Sequence, residues 1–124
     1  MARTMRTRAC AGPTKLKYLK RGQSLMDQAV EAAPAHARVR MVRAIGCYKV
    51  PKRFNRRKTA VADFEKLLPI AAEDSSGLEI NERQAILHYA WLTFKEEGHG
   101  DADKARILCR RLAPDSKYGK LTTP

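Results

Sequence analysis

Two apolar patterns, separated by a glycine-containing turn, lie within residues 79–114, EINERQAILHYAWLTFKEEGHGDADKARILCRRLAP. In the first half of this stretch, apolar residues recur at i, i+3, i+4 and i+7, namely at Leu87, Ala90, Trp91 and Phe94. In its second half, the same spacing recurs at Ala105, Leu108, Cys109 and Leu112. This spacing is typical of one face of an α-helix. Gly98 suits a left-handed C-terminal turn and Asp101 can cap a following helix, so the stretch predicts two helices joined by a short turn.

Proline residues divide the preceding sequence into further segments of helical period. The first segment follows Pro13 and is predicted to end near Ala33, and the second runs from about His36 to Lys49. Pro51 ends the second helix, because the residue before a proline disfavours the helical region. The apolar faces of these two helices are predicted to consist of Leu16, Leu19, Met26, Ala29, Val30, Met41, Ala44, Ile45 and Tyr48.

A third helix is predicted from a cap at Asn55 to Leu68, with Pro69 following its end. Its buried residues are predicted to be Ala60, Val61, Phe64, Leu67 and Leu68. Residues 70–77 are predicted to form a connector. Ser76 and Glu79 then have the Ser-x-x-Glu spacing of a capping box, so the fourth helix is predicted to begin there and to continue to Glu97.

No stretch of the sequence shows the alternation typical of strands, which predicts an all-α fold of about five helices. The short connections favour antiparallel neighbours. We expect one helical domain over residues 14–120, preceded by a basic, disordered segment over residues 1–13, where apolar residues are few.

The chain is strongly basic, with 25 Lys and Arg against 13 Asp and Glu and a formal net charge of +12. No acidic residue precedes Asp27, and a second basic run extends from Lys49 to Lys58. The three cysteines are well separated and form no Cys-x-x-Cys pair, which indicates reduced thiols in a cytoplasmic protein. The apolar runs are too short to span a membrane.

One order of residues recurs three times: a small residue, a large apolar residue, a small or apolar residue, then proline. The three copies are Gly22, Met26, Ala29 and Pro34; Ala60, Phe64, Leu67 and Pro69; and Ala105, Cys109, Leu112 and Pro114. This order resembles the second helix of a tetratricopeptide repeat, and Leu87, Ala90, Trp91 and Phe94 resemble the first helix. The resemblance covers about residues 14–120. It implies a short α-solenoid of stacked antiparallel helix pairs that binds a peptide or partner protein and acts as a scaffold or adaptor.

In tetratricopeptide proteins, the first helices of successive pairs line a groove that receives a peptide. The resemblance assigns this position to residues 37–49 and 79–97 here. The polar candidates on those helices are Arg40, Arg43, Arg83, Gln84 and His88. Because two arginines one turn apart can hold a carboxylate, an acidic peptide is the favoured ligand, and a merely solvated face is the alternative for each residue.

The first helix resembles a second helix of a repeat whose partner is missing. A solenoid covers each apolar face with the neighbouring helix. We therefore expect Leu16, Leu19 and Met26 to be covered by a second copy of the chain or by a partner protein.

The alternative function is that of a basic, nucleic-acid-binding accessory protein. Its polyanion patch would consist of Lys52, Arg53, Arg56, Arg57 and Lys58, with Phe54 available for stacking. The competing interpretation of this patch is a solvated connector that Pro51 and Phe54 anchor to the core.

Nothing in the sequence indicates an enzyme, a cofactor or a metal site. His36, His88 and His99 are isolated and show no ligand spacing, and the chain has no glycine-rich phosphate loop and no nucleophile motif. The sequence therefore favours a binding protein over a catalyst.

Overall fold

The computed structural model describes residues 13–73 and 77–112. The helices are α1 (Pro13–Ala32), α2 (Ala37–Lys49), α3 (Arg57–Ala72), α4 (Ile80–Glu96) and α5 (Ala102–Leu112), with a short 3-10 helix at Lys52–Phe54. These two ranges contain no strand, so the predicted all-α class of five helices is confirmed. The predicted segment 1–13, apart from Pro13, and residues 113–120 of the predicted domain lie outside the described residues.

Each helix packs against the next one in the chain, and α2 also contacts α4. Neighbours run antiparallel: the end of α3 meets the start of α4 where Arg83 donates to the carbonyl oxygen of Ala71, and Arg57 at the start of α3 reaches Glu96 at the end of α4. Helices α2 and α4 run parallel, because Arg38 meets Glu82 near their first turns and Tyr48 meets Tyr89 further along. Sequential helix pairs with parallel alternate helices make a solenoid-like stack.

The predicted apolar faces form the core between α2, α3, α4 and α5. Its fully buried side chains include Ala44, Ala60, Phe64, Leu67, Leu87, Ala90, Phe94, Ala105 and Cys109. Phe64 and Phe94 meet edge to face, with ring centroids 6.4 Å apart, and join α3 to α4. Met41, Ile45, Trp91 and Leu108 are half-buried against this cluster. The helical periods of α2 to α5 therefore predicted most of this core, whereas Ala29 of the predicted face of α1 is exposed and the buried Cys47 and Ile86 lie outside the predicted faces.

The prediction that Asn55 caps the third helix is wrong. Asn55 is left-handed, with φ 57° and ψ 42°, and its N–H donates to the carbonyl oxygen of Lys52 at 2.9 Å, so it ends the 3-10 helix instead. Asparagine is one of the few residues that tolerate this conformation. Arg56 occupies the N-cap position, and α3 begins at Arg57.

The prediction that Pro69 ends the third helix is also wrong, because α3 continues through it to Ala72. Residues 70–72 are therefore helical rather than part of the connector. Pro69 is exposed, whereas Leu68 and Ala71 on either side of it are buried. Burial of these neighbours offsets the missing hydrogen bond of the proline.

The fourth helix begins later than the sequence predicted. Ser76 lies outside the described residues, and Gly77 has a positive φ of 80°, which is not helical. Glu79 is the N-cap of α4, and it forms a reciprocal capping box with Glu82. At the other end of α4, Gly98 is left-handed, with φ 71°, as predicted.

Helix α1 packs on α2 through a close approach at Gly46. A methyl group at this position would lie 2.9 Å from Met26 Cε, so glycine makes room for the Met26 side chain. Leu16, Leu19 and Met26, which were predicted to face a partner, are half-buried. The large apolar residues of α1 that are exposed are instead Tyr18 and Leu25, at 66% and 55% exposure.

Candidate functional site

Arg40 and Arg43 bind a carboxylate, but it belongs to Asp63 of the same chain. Asp63 is 1% exposed. Arg40 Nη1 donates to Asp63 Oδ1 at 2.9 Å, while Arg43 donates to both carboxylate oxygens, at 2.8 and 2.7 Å. Arg40 Nη2 also donates to the carbonyl oxygen of Pro34. Packing of α3 thus places a buried carboxylate of the same chain between the two arginines that were predicted to hold a ligand carboxylate.

The same cluster extends to α1 and to the start of α3. Asp27 accepts from Arg43 and from Arg56, and Gln23 accepts from Arg56 and from the Cys47 thiol. The hydrogen bond to Asp63 raises the pKa of Arg43, and the bond to Asp27 raises the pKa of Arg56. Burial raises the pKa of the Cys47 thiol, which remains protonated at neutral pH. These contacts make a structural ionic network that joins three helices.

The three polar candidates on α4 are buried as well. Arg83 is 6% exposed and donates to the carbonyl oxygens of Ala71 and Ala72. These oxygens belong to the last turn of α3 and have no hydrogen-bond donor within the helix, so Arg83 supplies one. Gln84 is fully buried and His88 is 7% exposed. These three side chains are thus buried in the folded chain, and their role in binding a partner stays a prediction.

Other residues of α2 and α4, which are exposed or half-buried, form the surface that we call the inner face. It comprises Arg38, Val42, Ile45 and Lys49 of α2 and Glu82, Ala85 and Tyr89 of α4. On α2 these residues follow the spacing i, i+4, i+7 and i+11, which keeps them on one side of a helix. Val42 is 55% exposed, while Ile45, Ala85 and Tyr89 are half-buried, so the centre of this face is apolar.

Ionic contacts mark one end of the inner face. Arg38 Nε and Nη2 donate to the two carboxylate oxygens of Glu82 at 2.7 and 3.0 Å. This bidentate bond lowers the pKa of Glu82, and the backbone N–H of Glu79 lowers it further. At the other end, Lys49 Nζ lies 5.2 Å from the centre of the Tyr89 ring. Within the described residues, Lys49 has no carboxylate within 4.0 Å.

Beside Lys49, Tyr48 belongs to a second polar cluster. Its hydroxyl donates to Glu96 at 2.6 Å, and the guanidinium of Arg57 lies over its ring at 4.6 Å. Burial and this hydrogen bond raise the pKa of Tyr48 to about 12. The same bond, together with Arg57, lowers the pKa of Glu96. This cluster fixes the ends of α2 and α4 against the start of α3.

The structure separates the five residues of the predicted polyanion patch. Arg56 points into the ionic network, and Arg57 pairs with Glu96 and Glu97 on the opposite side. Lys52, Arg53 and Lys58 are exposed. Only part of the predicted patch therefore remains a surface of unpaired cations.

Arg53 and Arg56 instead line a cleft of about 590 Å³ between α1 and the connector, which we call the basic cleft. One wall consists of Leu16, Lys20, Gln23 and Asp27 of α1. The other consists of Arg53, Phe54 and Arg56. A second cleft, of about 560 Å³, lies on the other side of α1 and brings Lys15 and Tyr18 close to Lys49 and Pro51. The 3-10 connector thus meets the first half of α1, which the sequence did not predict.

In the described parts of the chain, no three His, Cys, Asp or Glu side chains come together in a way that could hold a metal ion. None of the helices in those parts is long and apolar enough to cross a membrane.

The fold and these surfaces define an all-α protein with sequentially packed helices. Comparison with known protein families, with curated protein sequences and with solved structures finds no match to this chain. The class of the protein therefore rests on its helix packing, and its function on the chemistry of its exposed surfaces.

Proposed function

We propose that this chain is a protein-binding module of the tetratricopeptide type, acting as a scaffold or adaptor that receives a peptide segment on its inner face. The observation that carries the proposal is the parallel contact between α2 and α4, each paired with the antiparallel helix that follows it. A stack of this kind presents its first helices side by side, which is the arrangement expected of a peptide groove.

The inner face has the composition of a binding surface. Its centre contains an exposed valine, a half-buried isoleucine and a tyrosine ring. Apolar and aromatic anchors contribute most of the binding energy at protein interfaces, and a rim of charges sets the orientation. Arg38 and Glu82 neutralise each other at one end, whereas Lys49 is available at the other. The fitting ligand is a peptide with an apolar anchor for the Val42 region and a carboxylate near Lys49.

The test begins with selection of ligands for the intact chain from a displayed random peptide library. The affinity of an enriched peptide is then measured by fluorescence anisotropy for wild type, Val42→Glu and Ile107→Glu. Ile107 is 41% exposed on α5 and does not belong to the inner face, so its substitution is a matched control. Circular dichroism checks that both variants remain folded.

We expect Val42→Glu to weaken the peptide about tenfold or more, because a buried charge replaces the central anchor. Ile107→Glu should leave the affinity unchanged. Equal affinity of wild type and Val42→Glu would mean that the peptide binds elsewhere, and the proposed groove would have to be abandoned.

A further inference from the structure

We propose that the basic cleft binds single-stranded nucleic acid, with a base stacked on Phe54 and phosphates held by Lys20 and Arg53. This site is separate from the inner face and is independent of peptide binding there. Its chemistry follows from three features: exposed cations that are not paired with a carboxylate, a neutralised carboxylate, and an aromatic ring in the wall of the cleft.

The surface around the basic cleft is rich in exposed cations. α1 contributes Lys17, Lys20 and Arg21, and the connector and the start of α3 contribute Lys52, Arg53 and Lys58. Lys15 and Lys49 are also exposed, but they line the second cleft on the other side of α1. Over residues 13–73 and 77–112, none of these eight side chains has a carboxylate within 4.0 Å. Other arginines on the same helices, such as Arg40, Arg43 and Arg56, are paired. The exposed cations near the cleft are thus not neutralised by these carboxylates, and they favour a polyanion.

Asp27 is the one carboxylate among the described residues that line the cleft, and it does not oppose an anionic ligand. It accepts hydrogen bonds from both Arg43 and Arg56, so its charge is balanced within the protein. Gln23 holds Arg56 from the other side at 2.9 Å. Asp27, Gln23 and Arg56 are therefore held by one another within the cleft. Lys20 and Arg53, which also line the cleft, are exposed and able to contact phosphates.

Phe54 distinguishes nucleic acid from other anions. It lies at the end of the 3-10 helix, is half-buried, and is fixed by the left-handed turn at Asn55. An acidic peptide or an anionic membrane would be attracted by the lysines without needing the ring. A base from a single strand can stack on an aromatic face while its phosphates meet nearby cations. The volume of the cleft, about 590 Å³, lies in the range of ordinary ligand sites.

The test uses a labelled oligothymidylate of about 15 nucleotides, a length that covers the site sizes of single-strand binders. Its affinity for the intact chain is measured by anisotropy between roughly 50 and 200 mM salt. The variants are Lys20→Gln/Arg53→Gln, Phe54→Leu and Phe54→Tyr. The control is Lys104→Gln/Arg110→Gln, which removes the same charge from exposed positions on α5.

We expect wild-type binding to weaken with salt, and the Lys20→Gln/Arg53→Gln variant to lower the slope of log affinity against log salt by about 1.4, or 0.7 for each lost phosphate contact. Phe54→Leu should weaken binding about 5- to 150-fold at unchanged slope, because the stacking contribution is lost. Phe54→Tyr should retain wild-type affinity, since the ring remains. The control variant should keep the wild-type slope.

Three results would overturn the proposal. Equal effects of the α5 control and the Lys20→Gln/Arg53→Gln variant would indicate diffuse attraction to the basic chain. Unchanged affinity of Phe54→Leu would exclude stacking. Binding of polyglutamate or of anionic phospholipid vesicles with the same affinity and the same sensitivity to Phe54→Leu would assign the cleft to a different class of partner. Peptide binding to the inner face is unaffected by any of these outcomes.

Discussion

Asp63 accepts hydrogen bonds from two arginines of α2 while its own side chain is almost completely buried. Asp63→Asn would remove the carboxylate that Arg40 and Arg43 share in a region of low exposure, and Arg43 would keep only its longer contact to Asp27, at 3.4 Å. Removal of one partner from a buried ion pair typically costs about 3 to 5 kcal/mol. We therefore expect urea denaturation to give a free energy of unfolding lower than that of wild type by about this amount.

Glu65→Gln is the matched control for Asp63→Asn. Glu65 lies two residues further along α3, its side chain is 51% exposed, and its partner is His99. Exposed pairs contribute about 1 kcal/mol or less, so this variant should remain near wild-type stability. Similar losses in the two variants would contradict the structural role assigned to Asp63.

Because of the cluster of Tyr48, Glu96 and Arg57, we expect the stability of the folded state to fall at both low and high pH. The folded state lowers the pKa of Glu96, so the stabilisation it provides is present above the ordinary carboxyl range and is lost as the pH falls through the folded value. The folded state raises the pKa of Tyr48 to about 12, so its stabilisation is complete below about pH 10 and is lost as the pH rises towards 12.

Tyr48→Phe removes the hydrogen bond to Glu96. We expect the pKa of Glu96, followed by the carboxyl carbon resonance in NMR, to rise towards its ordinary value. A titration followed by the ultraviolet absorbance of tyrosinate should no longer contain the step near pH 12 that belongs to Tyr48. Tyr18→Phe, at an exposed position on α1, should leave both observations as in wild type. An unchanged Glu96 titration in Tyr48→Phe would argue against the hydrogen bond.

At the scale of the helices, the apolar period predicted the core, because burial of Phe64, Leu87 and Phe94 dominates the local energetics. The errors arose where a local signal competed with packing. Pro69 is a strong stop signal, yet burial of Leu68 and Ala71 continues α3 beyond it. Likewise, Asn55 suits both a helix cap and a left-handed turn, and sequence alone does not choose between them.

Pro69→Ala tests whether α3 is continuous. Proline inside a helix lacks the backbone donor and crowds the preceding turn, so its replacement should stabilise the protein by about 1 to 3 kcal/mol. Chemical denaturation measures this change. Pro34→Ala, in the turn between α1 and α2, should instead lower stability by up to about 1 kcal/mol through the freer unfolded chain. A neutral or destabilising effect of Pro69→Ala would indicate that α3 ends at Leu68.

Helix α1 contacts α2 on one side and leaves Tyr18 and Leu25 exposed on another. If α1 takes the place of a second repeat helix, a second copy of the chain is the occupant we expect on that side. Sedimentation velocity should then show a concentration-dependent dimer, and Leu25→Glu should shift it to monomer. Val42→Glu, on the inner face, should leave the dimer intact. A wild-type monomer at every concentration that binds no hydrophobic dye would exclude self-association.

At the scale of the whole molecule, the sequence predicted that α2 and α4 occupy equivalent positions in the stack, but not which of their residues stay exposed. Arg40 and Arg43 satisfied the spacing for a carboxylate ligand, and their ligand proved to be Asp63. An acidic residue inside the apolar stripe of α3 was the signal for this pairing. The basic cleft was less accessible to sequence reasoning, because its two walls are more than 25 residues apart and meet only in the folded chain.

The central claim is that the inner face receives a partner protein. Its most direct test is a photo-reactive amino acid placed at position 42 and, as a control, at position 107, with both variants expressed in the cells that naturally make this chain. Irradiation should link position 42 to a discrete protein that persists after nuclease treatment, while position 107 yields none. Absence of a product at position 42, or the same products at both positions, would contradict the account.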